Sequence, residues 1–105
     1  MKKEIADKWV EALRFGKYKQ GRTLLHDYNN NSFCCLGVLC DLGYASPHNS
    51  GAEYIENDPD LAKMCYLKTK DGEIDILETT LAKENDNGKS FEEIANIIEK
   101  YYEEL

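Results

Sequence analysis

Nine consecutive residues, Arg14-Phe15-Gly16-Lys17-Tyr18-Lys19-Gln20-Gly21-Arg22, combine the groups needed to hold a phosphorylated aromatic ligand. Arg14, Lys17, Lys19 and Arg22 match phosphate oxygens, Tyr18 offers a face for stacking a base, and Gln20 can read a polar edge. Gly16 and Gly21 let backbone amides approach a ligand closely. The same residues would also suit a plain connector with solvated lysines.

Three of the four cysteines lie in Phe33-Cys34-Cys35-Leu36-Gly37-Val38-Leu39-Cys40-Asp41. Cys34 or Cys35 with His26 could form a thiolate–imidazole pair. Apolar surroundings raise a thiol pKa and quench that reactivity, so these thiols read as small core residues. Cys34, Cys35, Cys40 and Cys65 lack the paired C-x-x-C spacing of a zinc site, and His26 and His48 add ligand types without a recognisable spacing. Asn85-Asp86-Asn87-Gly88 has the composition of a calcium-loop fragment. It lacks the alternating acidic ligands and the closing Glu, so a turn between two helices explains it better. Glycine-rich phosphate loops are absent. The sequence therefore predicts no catalytic residue, no metal and no cofactor.

The elements that must position the basic segment follow from periodicity. Ile5, Trp9, Val10 and Leu13 form one apolar stripe, predicting a helix from Lys3 to Phe15 that ends at Gly16. Thr23-Leu24-Leu25 reads as a short strand, and Asp27 to Ser32 as a loop rich in residues that bond their own backbone. Ser32 is the expected N-cap of a central apolar helix running to Leu42, with Gly43 as its stop. Gly37 inside that helix costs about 1 kcal/mol against Ala unless another backbone packs there closely.

Residues 44–57 read as an irregular crossing segment, and Asp58-Pro59 as the start of a short helix to Cys65. Asp71-Gly72 predicts a hairpin near residues 66–77, with Lys70 facing Glu73, Lys68 facing Asp75, Thr69 facing Ile74 and Leu67 facing Ile76. A short helix follows from Leu77 to Glu84. Ser90-Phe91-Glu92-Glu93 is a capping box opening a final amphipathic helix. The predicted fold is a small, mostly helical α+β single domain over residues 1–105.

Composition narrows the function classes. A chain of 105 residues with 42% hydrophobic and 31% charged residues suits one globular core. No apolar run approaches the roughly 20 residues that span a bilayer, and Met1-Lys2-Lys3-Glu4-Ile5 has no apolar signal region, so a cytosolic protein without membrane contact is expected. The net charge of −7 argues against long nucleic acid as a partner. Yet residues 1–22 hold seven Lys or Arg against three acids, a balance of +4, while the other 83 hold six against seventeen, −11. A basic end on an acidic body can hold an anion locally.

Three stretches together resemble a widespread family of small phage and prophage proteins. They are Lys8-Trp9-Val10-Glu11-Ala12-Leu13-Arg14 with Gly16-Lys17-Tyr18-Lys19-Gln20, the Phe33–Asp41 motif, and the ending Asn85-Asp86-Asn87-Gly88-Lys89-Ser90-Phe91-Glu92-Glu93-Ile94-Ala95. The middle, about residues 44–80, departs from that pattern: it is shorter and lacks the tryptophan and proline positions often found there. The resemblance implies phage origin rather than a particular activity.

From that origin and the Arg14–Arg22 cluster comes the functional expectation: an anti-defence accessory protein in the host cytosol. It would sequester a small anionic nucleotide-type immune signal without catalysis, as a homo-oligomer. The expected ligand-binding residues are Arg14, Lys17, Tyr18, Lys19, Gln20 and Arg22. One alternative is a protein-binding module that inhibits or redirects a host protein, and another is an enzyme that degrades the nucleotide.

Overall fold

A computed structural model describes residues 1–44, 67–68 and 72–105. It begins with helix α1, Lys3–Phe15, with the predicted bounds. Ile5, Ala6, Trp9, Val10 and Leu13 are its buried residues, the stripe expected of a 3.6-residue period. This face packs along α4, Phe91–Tyr101, which buries Phe91, Ile94, Ala95 and Ile98 in return. Ser90 and Glu93 form the full capping box at the start of α4, each satisfying the other's backbone amide.

Between these outer helices lies α2, Cys35–Leu39, with all five residues buried. A helix apolar on every side can only be central. It is shorter than the sequence predicts, and its cap is different. Ser32 and Phe33 belong to a strand, so the helix cannot start until Cys35. Cys34 takes the N-cap position, its Sγ accepting from the Gly37 amide at 3.4 Å. At the other end the helix widens into a π-helical turn, Cys40–Tyr44, in place of a stop at Gly43.

Two contacts fix α2. The Trp9 indole N–H donates to the Cys35 carbonyl at 2.9 Å inside the core. A Cβ on Gly37 would lie 1.8 Å from the Leu25 carbonyl oxygen, so the close backbone approach that justifies a helical glycine is present. Each fully buried Leu or Ile around this centre contributes about 1.5–3 kcal/mol through removal from water.

A three-stranded sheet of order β1-β3-β2 covers the start of α2. Its strands are β1, Lys19–Gln20; β2, His26–Asp27; and β3, Ser32–Phe33. β1 runs parallel to β3, pairing Lys19 with Ser32 and Gln20 with Phe33. β2 is antiparallel to β3, pairing His26 with Phe33 and Asp27 with Ser32. The strand expected at Thr23-Leu24-Leu25 is not formed there; β2 starts three residues later, at His26. Thr23 has a φ of 72°, and the Leu24 amide bonds the Arg22 carbonyl at 2.8 Å, closing a tight turn that a strand cannot contain.

The second hairpin also differs in register. β4, Glu73–Ile74, pairs with β5, Thr79–Thr80, across a 3₁₀ turn at Asp75–Leu77. Glu73 and Ile74 thus face Thr80 and Thr79, where the sequence register had Lys70 and Thr69. Asp75 and Ile76 turn instead of pairing with Lys68 and Leu67. This register sends Ile74 into the core beside Leu81, both fully buried. Thr80 then caps α3, Leu81–Asp86, its hydroxyl accepting from the Lys83 amide, so this helix starts four residues later than predicted. Residues 69–71, the helix from Asp58 to Cys65 and nearly all of the 44–57 segment lie outside the described residues.

α3 ends in a Schellman pattern: Lys89 N bonds Glu84 O, Gly88 N bonds Asn85 O, and Gly88 has a φ of 106°. Asn85 to Gly88 is thus a helix end and turn. The helices and both small sheets enclose one hydrophobic cluster, an α+β domain.

Candidate functional site

The basic segment does not stay together. Arg14, in the last turn of α1, points onto α4. Its Nη1 donates to Glu99 at 2.8 Å, its Nη2 donates to the Asn96 side-chain oxygen, and its Nε lies 3.5 Å from Glu92 without hydrogen-bond geometry. Arg14 is committed to joining two helices.

Gln20 is committed as well. Its amide donates to the Asn85 Oδ1 at 3.0 Å and to the Lys89 carbonyl at 2.7 Å. Asn85, fully buried, also accepts from the Cys35 amide at 3.2 Å and donates to the Gly21 carbonyl at 2.9 Å. One side chain thus ties β1, the start of α2 and α3 into a satisfied polar hub. Lys19, within β1, and Arg22, two residues beyond it, are exposed cations.

Lys17 and Tyr18 remain, and both line a cavity of about 540 Å³ with His26, Asn31, Phe33 and Asp41. Its wall is aromatic. The β2–β3 register sets His26 directly opposite Phe33, and their rings stack at 4.1 Å with only 5° between planes. Tyr18 meets Phe33 edge-on at 5.0 Å, and Tyr28, 57% exposed, tilts over His26 at 4.2 Å. Such offset and T-shaped geometries are the favoured ones for aromatic pairs.

Polar groups are fixed at both ends of this wall. The Tyr18 hydroxyl donates to Asp41 Oδ2 at 2.7 Å. Desolvation first, and then that bond, push the Tyr18 pKa up to about 12, so it is a permanent donor at neutral pH. Asp41 reaches the cavity from the π-helical turn. At the other end His26 Nε2 lies 3.1 Å from Asn31 Oδ1. Asn31 adopts φ 50°, a left-handed conformation that Asn tolerates better than most residues. Asp27 organises the loop between: its Oδ1 accepts from the Asn29 and Asn30 amides, and its Oδ2 from the Asn30 side chain. The Asn30 side-chain bond is the main cause that lowers its pKa.

The three described cysteines, Cys34, Cys35 and Cys40, are buried in the core. Burial pushes Cys34 up to about 11 and Cys35 well above an ordinary thiol, which removes the thiolate needed for nucleophilic attack. Among the described residues no group of three or more His, Cys, Asp or Glu is arranged to hold a metal ion. A second cavity of similar size lies between β5 and α4, lined in part by Thr79, Glu84, Lys89 and Lys100. Its charges largely satisfy one another: Glu84 accepts from Thr79 at 2.8 Å and lies 3.9 Å from Lys89. A third, between α1 and Leu42, is bordered by Phe15, which is 81% exposed.

Of the residues lining this cavity, the sequence reading includes Lys17 and Tyr18 and leaves out His26, Asn31, Phe33 and Asp41. The signal was available in part. Asp27 to Ser32 reads as a turn, and flanking it with strands would have paired His26 with Phe33. Asp41 carried no signal, because its position depends on the π-helical widening.

Residues 1–59 match the family described as Domain of unknown function (DUF8296), so just over half of the 105-residue chain is covered. No curated protein and no solved structure matches the chain. Among the described residues no helix is long and apolar enough to cross a membrane.

Proposed function

The chain belongs to the DUF8296 family, and from the site it carries we propose that it binds and sequesters a small nucleotide-derived signal without turning it over. The observation that supports this is the cavity in which Lys17 stands beside a wall of Tyr18, Phe33 and His26. His26 and Phe33 stack on each other and Tyr28 leans on His26, so the cavity ring left for a base is Tyr18; stacking there contributes about 1–3 kcal/mol, and a lysine supplies phosphate attraction. Lys19 and Arg22 add positive potential along β1 in an otherwise acidic protein.

Sequestration rather than hydrolysis fits the groups present. Tyr18 is held protonated, and the buried thiols are suppressed as nucleophiles. The biological setting we infer is a phage-encoded accessory factor acting against host defence in the host cytosol. It rests on the resemblance of the Trp9–Gln20, Phe33–Asp41 and Asn85–Ala95 stretches to phage proteins.

A thermal-shift panel of cyclic dinucleotides and ADP-ribose derivatives tests the binding claim. A ligand at 100 times its Kd raises stability by about 2.7 kcal/mol, an easily read shift. If no member of the panel raises the melting temperature or is depleted from solution, the proposal fails.

A second reading, a protein-contact module, has one observation in its favour: Phe15 is 81% exposed beside the apolar cavity at Ala12 and Leu42. That surface would also serve a homo-oligomer, and sedimentation of Phe15→Ser against the parent protein separates self-association from a monomer.

A further inference from the structure

The cavity between β5 and α4 leaves one charge over. Lys89 lies 3.9 Å from Glu84 and 3.8 Å from Glu93, which neutralise it. Lys100 has no carboxylate partner among the described residues, and its Nζ sits 5.3 Å from the centre of the Tyr101 ring. A cation–π contact steadies an ammonium without giving its three N–H groups a lone pair to bond.

Asn96 is held in a comparable way. The Arg14 guanidinium only donates, so the Asn96 atom that meets it must be the side-chain oxygen. That bond fixes the amide's orientation, and its NH₂ group donates to no described residue. Asn96 and Lys100 stand four residues apart on α4, which puts their Cβ atoms about 5–6 Å apart on one face. Two donor groups, each steadied by a contact that leaves its protons available, thus border one cavity of about 540 Å³.

Apolar surface adjoins them. Ile97 lines the same cavity from α4, and Leu77 lines it from the 3₁₀ turn of the hairpin. Leu77 is 39% exposed and its neighbour Ile76 68%, so two consecutive aliphatic side chains face solvent beside a cavity of ligand size.

The geometry points to a second ligand site here, for a small monocarboxylate with an apolar body. Lys100 and Asn96 donate to the carboxylate, and Ile97 and Leu77 cover the body. One cation beside one neutral donor matches a single negative charge. Glu84, which lines the same cavity and accepts from Thr79 at 2.8 Å, disfavours ligands of higher charge. No residue is shared with the Lys17–Tyr18 cavity, so this site stands independently of the nucleotide reading.

Titration of the full chain with 3-phenylpropionate and with 3-phenylpropionamide, followed by amide-resolved NMR, tests it. The two probes share an apolar body and differ in the charged group. A partly exposed ion pair contributes up to about 1 kcal/mol, so the acid should bind about fivefold more tightly than the amide. The shifts should centre on Thr79, Asn96, Ile97, Lys100 and Tyr101. Lys100→Gln should bring the acid down to the amide's affinity, and an unchanged melting temperature verifies that this variant folds. Ile97→Ser should weaken both probes by about fourfold through lost apolar contact. Equal binding of acid and amide by the parent protein overturns the proposal, as does a preference for the acid that survives Lys100→Gln. Shifts confined to other residues, or no saturable shift with either probe, overturn it as well.

Discussion

Asn85→Ala should be among the most damaging single changes at a polar position in this protein, and its cost can be worked from the structure. Asn85 has no exposed surface, and its two side-chain heteroatoms serve Gln20, Cys35 and Gly21 at 3.0, 3.2 and 2.9 Å. Truncation strands the Cys35 amide in a dry environment, which costs about 1–3 kcal/mol. The Gly21 carbonyl and Gln20 amide are only part-buried and recover some hydration, so each adds about 0.5–1 kcal/mol. A small void adds about 1 kcal/mol more. The sum is about 3–6 kcal/mol, a large share of the roughly 5–15 kcal/mol expected for a domain of this size.

At about 4 °C per kcal/mol, the melting temperature should fall by roughly 12–24 °C. Urea unfolding followed by far-UV circular dichroism should show a lower midpoint at an unchanged slope. Gln20→Ala alone should cost about 1 kcal/mol, and the double variant less than the sum, because the two residues share a bond. A loss below about 1 kcal/mol for Asn85→Ala would mean that water already serves the hub, and the anchoring of β1 through it would be refuted.

Arg14→Ala should cost about 1 kcal/mol through loss of the part-exposed clamp on Glu99 and Asn96, while leaving nucleotide affinity within roughly twofold; Lys17→Ala should do the reverse, and titration calorimetry with melting curves reads both. Iodoacetamide at pH 8 should leave Cys34, Cys35 and Cys40 unmodified in the native protein and label them in urea, as peptide mapping would report, because all three are buried. Tyr18 keeps its proton to about pH 12 when folded, against about 10 when unfolded. The folded state therefore holds a proton that the unfolded chain releases, so this contribution is intact below pH 10 and is lost between pH 10 and 12. Urea midpoints at pH 9 and pH 11.5 should fall further in the parent protein than in Tyr18→Phe, and equal falls would contradict the assignment.

Legibility in the sequence followed the range of the forces involved. α1 and α4 are set by local periodicity and capping, and both emerge where Trp9, Ile94, Ser90 and Glu93 place them. The Asn85–Gly88 turn was readable for the same reason. The short strands were not, because two-residue strands carry no period of their own. Their positions depend on distant partners, Gln20 and His26 on Phe33, Ile74 on Thr79. The start of α2 was misread because β3 claims Phe33 first. At the site, the chemistry of the Arg14–Arg22 segment was visible but its directions were not. Arg14 turns to α4 and Gln20 to Asn85, and nothing in their own neighbourhood encodes either partner.

Heat release of a bound nucleotide tests the central claim most directly. The purified chain is incubated with a signalling nucleotide that stabilises it, separated from free ligand, denatured at high temperature, and the supernatant is examined by mass spectrometry. Sequestration predicts recovery of the nucleotide with unchanged mass, near one equivalent per site. Recovery of a cleaved product, or of no nucleotide at all, would contradict it.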